Sequence, residues 1–81
     1  MTAVIFTKRQ CPSCVKAKSL LSLRGISYNE TIIGEDVLRE QFIEMYPDQK
    51  TVPLIIMEGQ KINGYERLVE YLDSKAQFLA E

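Results

Sequence analysis

Near its start the chain carries a short apolar run rich in β-branched residues, Ala3 to Thr7 (AVIFT), the pattern of a strand buried on both faces. After KRQC, Pro12 brings the fixed φ and absent N–H that suit the first turn of a helix. That helix is expected over residues 12–23, with Ala17, Leu20 and Leu21 inward, Lys16, Lys18 and Arg24 reaching solvent, and Gly25 as its stop. Residues 27–33 (SYNETII) partly alternate and read as a second strand, parallel to the first through a right-handed crossover. Gly34 opens a second helix over residues 35–46, placing Leu38, Phe42 and Met45 on one face and Glu35 and Asp36 at the positive N-terminal end. Pro47 and Asp48 end it. Residues 53–57 (PLIIM) are a third strand, and Glu58-Gly59 turns it antiparallel into a fourth over residues 60–63. Gly64 precedes a last helix over residues 65–78, with Leu68, Val69, Leu72 and Ala76 inward. The order is β-α-β-α-β-β-α, an α/β arrangement that fills residues 1–81 as one domain without repeat or linker.

Composition narrows what such a domain can do. Hydrophobic residues at 46% and charged residues at 26% argue against disorder, and the apolar runs are too short to cross a bilayer. A formal charge of −1, with basic residues scattered, offers no electrostatic reason to expect nucleic acid or an anionic membrane as partner. The first residues, MTAVIFTK, lack the features of a secretory signal, so a cytoplasmic location is expected.

That expectation bears on the two cysteines, Cys11 and Cys14, which stand in CPSC. Disulfides seldom persist as structural elements in the cytosol, and so short a loop gains only about 2 kcal/mol of chain entropy when closed. A closed zinc site needs four ligands, whereas this chain has two cysteines and no histidine. A redox pair is the leading reading, beside an intersubunit metal or cluster site and incidental thiols. Cys11 at the N-cap of the first helix meets unpaired N–H groups and the helix dipole, which favour the thiolate. Lys8 and Arg9 add positive charge, although Arg9 reads equally well as a solvated loop residue. Cys14, one turn further in, is then the resolving thiol.

Two further stretches carry weaker signals. Thr51-Val52-Pro53 at a strand entrance fits a cis peptide before Pro53, exposing Val52 backbone groups to an extended peptide, where a trans proline starting a strand is the plain alternative. Gly64 precedes a helix whose first N–H groups, near Tyr65 and Glu66, are able to hold a carboxylate.

Taken together, K-x-x-C-P-S-C, T-V-P and I-N-G-Y-E-R-L, in that order and spacing, resemble the signatures of a dithiol glutaredoxin. The resemblance implies a thioredoxin-like fold, a four-stranded mixed sheet flanked by three helices. It implies an enzyme that uses glutathione to reduce protein disulfides and glutathione mixed disulfides, with no metal. By position, Cys11 is similar to the family nucleophile, Cys14 to the resolving cysteine, and Lys8 to the lysine near the glutathione glycine carboxylate. Thr51, Val52 and Pro53 match the cis-proline motif, and Gly64, Tyr65 and Glu66 lie at the γ-glutamyl end. Arg39 and Lys50 are further candidate partners for a carboxylate. The implied partners are glutathione and disulfide-containing or glutathionylated proteins, ribonucleotide reductase being the family's common client, with the protein acting as a monomer. Ser13 stands where dithiol members usually have tyrosine, and Asn63 replaces a glycine whose left-handed turn asparagine is able to adopt. The alternatives are an electron donor reduced by thioredoxin reductase, although the tryptophan of its usual C-terminal motif is missing, and a carrier of a glutathione-ligated iron–sulfur cluster.

Overall fold

In the computed structural model, which describes residues 2–49 and 51–80 (the last six as backbone only), a central strand organises everything else. β1 (Thr2–Thr7) pairs parallel with β2 (Ser27–Ile32) on one side and antiparallel with β3 (Leu54–Met57) on the other. β4 (Gln60–Asn63) completes the order β2-β1-β3-β4. α1 (Pro12–Leu23), α2 (Arg39–Met45) and α3 (Tyr65–Ala80) supply the helices, so the element order and mixed sheet read from the sequence are present.

Strand alternation divides the core in two. Ala3 and Ile5 of β1, with Ile55 and Met57 of β3, face α1 and α3 and pack with Ala17, Leu21, Leu68 and Leu72. Phe6 and Leu54 point the other way, under α2, where Phe42 meets them. Phe6, Phe42 and Tyr46 form a ring cluster with centroids 5.2–5.7 Å apart in tilted or edge-on arrangements. Val69 is half-buried, and the side chain of Ala76 lies outside the described set.

Local signals close the elements. At the end of α1, Ile26 N–H donates to Leu21 O at 2.9 Å and Gly25 N–H to Ser22 O at 3.0 Å, with Gly25 at φ 71. This pair of bonds is a Schellman cap, and it requires the left-handed conformation that glycine adopts without a Cβ clash. Glu58 and Gly59, both at positive φ, make the hairpin turn between β3 and β4.

The second helix departs from expectation. Residues 34–36 form a turn rather than helix, because Asp36 accepts the Ile32 N–H through its carboxylate at 2.8 Å and Gly34 N–H donates to Val37 O at 2.7 Å. An aspartate that bonds nearby backbone in this way offers the chain an alternative to the helix. α2 therefore starts at Arg39, where Gln41 Oε1 accepts the Leu38 N–H at 2.9 Å. Leu38 and Met45 are exposed, leaving Phe42 as the helix's buried residue.

Candidate active site

Gln10, in the left-handed region at φ 55, turns the chain from the end of β1 into α1. Cys11 follows as N-cap with extended backbone, and its sulfur accepts the N–H of Cys14 at 3.2 Å. The same Cys11 receives the N–H groups of Cys14 and Val15 on its carbonyl at 3.1 and 3.2 Å. Cys11 and Cys14 are joined as a disulfide, with Cα atoms 5.2 Å apart, within the roughly 4.4–6.8 Å usual for such a bond. Both are buried, Cys14 more deeply at 2% against 9%, which matches an outer and an inner sulfur. Pro12 occupies the first helical turn, where no N–H is missed.

The residues expected to contact glutathione are partly gathered. Lys8, Arg39, Thr51 and Val52 line one groove of about 800 Å³ between the end of β1, α2 and the loop before β3. The Val52–Pro53 peptide is cis, and Pro53 is buried. Gly64 N–H donates to Pro53 O at 3.0 Å, tying this loop to the start of α3. Tyr65 stands half-buried under the Lys16 ammonium, 6.0 Å from the ring centre, and Glu66 is exposed; neither lines the groove. Lys50 lies outside the described residues. Asn63 remains the last residue of β4, opposite Leu54, and the left-handed turn falls on Gly64 at φ 96, so the glycine missing from the motif is not needed.

A second groove, about 630 Å³, runs on the other side of β1 and takes in both cysteines. Its floor holds a polar network: buried Thr7 donates its hydroxyl to Glu30 Oε2 at 2.7 Å, and Lys18 donates to the same oxygen at 2.9 Å. These two bonds hold the Glu30 carboxyl below its ordinary range. At the rim, Arg9 grips Glu35 with two parallel hydrogen bonds, from Nε to Oε2 and from Nη2 to Oε1, the latter 2.7 Å. The pairing lowers the Glu35 carboxyl and raises the Arg9 guanidinium from their usual values. Arg9 is thus a paired residue rather than a freely solvated one.

Glu30 and Gln49 escaped the sequence reading, and Glu35, expected at the start of the second helix, instead lies in the turn before it and pairs with Arg9. Gln49 lines the larger groove and donates its side-chain N–H to Thr51 O at 2.6 Å, holding the loop before Val52. Only its nearness to Thr-Val-Pro hinted at this. Glu30 sits in a strand where alternation marks it as merely polar, and nothing local joins it to Thr7, 23 positions earlier. Among the described residues, no group of three or more His, Cys, Asp or Glu converges to hold a metal ion. None of the helices, over the same residues, is long and apolar enough to cross a membrane.

Comparison with known proteins places this geometry. The glutaredoxin family model matches residues 3–62, which include β1, the CPSC turn, the cis-proline loop and most of β4. Glutaredoxin 3 of Escherichia coli K12 is 42% identical over 65 residues, covering 79% of this chain and 77% of that protein. Haemophilus influenzae hybrid peroxiredoxin hyPrx5 is 39% identical over 67 residues, 83% of this chain, but the chain spans only 27% of that protein's length. Among solved structures, reduced E. coli glutaredoxin superposes with a TM-score of 0.73 at 30% identity, covering 95% of this chain and 99% of that one. Buckwheat glutaredoxin, solved as a glutathione complex, gives 0.74 at 23% identity over 90% of this chain and 69% of its own, which shows the fold alone. With a buried pair of cysteines from CPSC at a helix start and a cis peptide before Pro53, the chain belongs to the glutaredoxin family of the thioredoxin-like superfamily, and it is a thiol–disulfide oxidoreductase.

Proposed function

We propose that the protein uses glutathione to reduce protein disulfides and to remove glutathione from mixed disulfides. The observation that carries this reading is the groove in which Lys8 and Arg39 converge, two cations suited to a carboxylate at one end of a tripeptide, Lys8 also lining the groove that takes in Cys11 and Cys14. That the buckwheat structural neighbour was solved with glutathione supports it.

In deglutathionylation, the Cys11 thiolate attacks the glutathionyl sulfur; the bond to the client sulfur breaks, and the client thiolate leaves and takes up a proton. A second glutathione thiolate then attacks the glutathione sulfur on Cys11, forming glutathione disulfide and restoring the Cys11 thiolate. With a protein disulfide, the Cys11 thiolate attacks one client sulfur, the client S–S bond breaks and its other sulfur leaves as a thiolate that takes up a proton; Cys14, losing its proton, then attacks Cys11 Sγ, and the second client thiolate departs and is protonated. The Cys11–Cys14 disulfide remains, and two glutathiones reduce it in turn. The Cys14 N–H on Cys11 Sγ favours sulfur carrying negative charge, as does the helix start.

In this reading Val52, beyond the cis-Pro53 peptide, presents its backbone to the glutathione cysteine, with Thr51 beside it. Gly64, Tyr65 and Glu66 take the γ-glutamyl carboxylate on helix N–H groups, and Lys8, Arg39 and Lys50 take the glycine carboxylate. The protein works as a monomer in a reducing, cytoplasmic setting. Its clients are disulfide-containing or glutathionylated proteins, ribonucleotide reductase among the candidates, and the similarity to part of a hybrid peroxiredoxin supports thiol peroxidases as another client class.

A coupled assay decides the point. Turnover of a small glutathione mixed disulfide with glutathione and glutathione reductase is expected, and little turnover with thioredoxin reductase in their place. The opposite pattern would overturn glutathione dependence while leaving the dithiol chemistry intact.

A further inference from the structure

Lys8 lines two grooves, of which one takes in the Cys11–Cys14 pair. The larger groove carries the glutathione candidates and neither cysteine lines it; the smaller one takes in both cysteines, with Val15 and Ile32 as apolar wall and the Arg9–Glu35 pair at the rim. A client protein joined to Cys11 through a mixed disulfide needs somewhere to lay the chain beside its cysteine. Glutathione, if seated as proposed above, fills the larger groove. The smaller groove adjoins Cys11 and stays open.

The charge of that rim is directional. Glu35 engages Nε and Nη2 of Arg9, which leaves Nη1 without a partner among the described residues on a guanidinium whose side chain is 78% exposed. Each Glu35 oxygen accepts one of these bonds, and the unused guanidinium hydrogens point away from that carboxylate. Lys8, which has no ion-pair partner among the described residues, adds a second cation beside it. Below the rim, Val15 is 58% exposed and offers apolar surface to a side chain of the incoming segment.

We propose that the groove between α1 and β2 seats the client polypeptide next to its reacting cysteine, and that Arg9, whose charge Glu35 partly offsets, selects clients with an acidic side chain adjacent to that cysteine. The inference rests on the glutathione-dependent reading, and it assigns the second half of the substrate. The carboxylate is received end-on by one hydrogen of Nη1 and the second hydrogen of Nη2, a fork of the kind by which arginine recognises carboxylates. The covalent steps are those already written; only the seating of the leaving client is added.

The test compares two glutathionylated peptides, identical except for aspartate or lysine beside the cysteine, and reads the ratio of their kcat/KM values, which cancels any change in Cys11 itself. The wild-type protein is expected to prefer the acidic peptide by about two- to fivefold at low salt, the range of an exposed ion pair. Arg9→Glu should invert the preference, and Glu35→Gln, which frees the arginine charge, should enlarge it. A ratio near one in all three proteins overturns the proposal. So does an unchanged ratio accompanied by slower reduction of glutathionylated Cys11 in Arg9→Glu, which would assign the groove to a second glutathione instead. If the wild-type protein turns over neither peptide with glutathione, the glutathione-dependent reading has failed, and that outcome is distinct from turnover without charge preference.

Discussion

Gly64 donates its N–H to the carbonyl of Pro53 across 3.0 Å, which ties the start of α3 to the cis-proline loop. Gly64 has φ 96 and open space where a Cβ would stand, so the obstacle to a side chain is the backbone conformation rather than a clash. Gly64→Ala should cost about 1 kcal/mol and lower the Tm by about 4–8 °C. It should also raise the KM for glutathione, since the N–H groups of Tyr65 and Glu66 depend on this corner. Thermal denaturation and coupled kinetics check both effects, and a raised KM without loss of stability would show that the corner matters for binding alone.

The two cysteines should separate cleanly by mutation. Cys14→Ser is expected to keep deglutathionylation and to lose most reduction of protein disulfides, because Cys11 attacks without it while only Cys14 releases a trapped client. Cys11→Ser should lose both. Parallel assays on a glutathionylated peptide and on a protein disulfide make the comparison; equal loss of deglutathionylation in both variants would refute the division of labour.

Lys8→Ala and Arg39→Ala should each weaken glutathione use several-fold without abolishing it, as exposed charge contacts contribute about 1 kcal/mol or less. Both residues line the same groove, so the double variant should lose more than either single one. Raising the salt concentration should shrink the difference from wild type. Wild-type KM for the double variant at low salt would remove these residues from the site.

Glu30 predicts a pH dependence of stability. Its carboxyl is held below the ordinary value of 4.5 in the folded protein by Thr7 and Lys18, so the folded state binds the proton less readily than the unfolded chain. The resulting stabilisation is present above the unfolded value and is lost as pH falls through the lower folded value. Glu30→Gln should therefore lower the Tm at pH 7, by the equivalent of about 1 kcal/mol after allowance for partial exposure, and the difference should fade as pH falls through the lowered value of the folded carboxyl. Melting curves of the two proteins across this range test it, and a gap independent of pH would assign the effect to packing.

What the sequence determined by itself was whatever neighbouring residues decide among themselves. Pro12 and Gly25 bracket α1 at its observed limits because each acts within a single turn, one by its fixed φ and the other by freedom at positive φ. The unbroken apolar run along β1 marked it as buried on both faces, since successive side chains of a strand point to opposite sides and here both sides are covered. The CPSC spacing set both cysteines at the start of that helix, which is why the redox site was legible before any coordinates. Tertiary structure alone decided the rest. The start of α2 moved to Arg39 because Asp36 turned back to β2, and Glu35 is held by Arg9, 26 positions away. Thr7, Lys18 and Glu30 meet only because parallel pairing lays β2 beside β1 under the second turn of α1. The two grooves and their shared Lys8 likewise exist only once α2 and β2 have come to opposite sides of the strand that ends in the active site. Such contacts carry no local periodicity, since they depend on which elements the folded chain brings together rather than on any residue's neighbours in sequence.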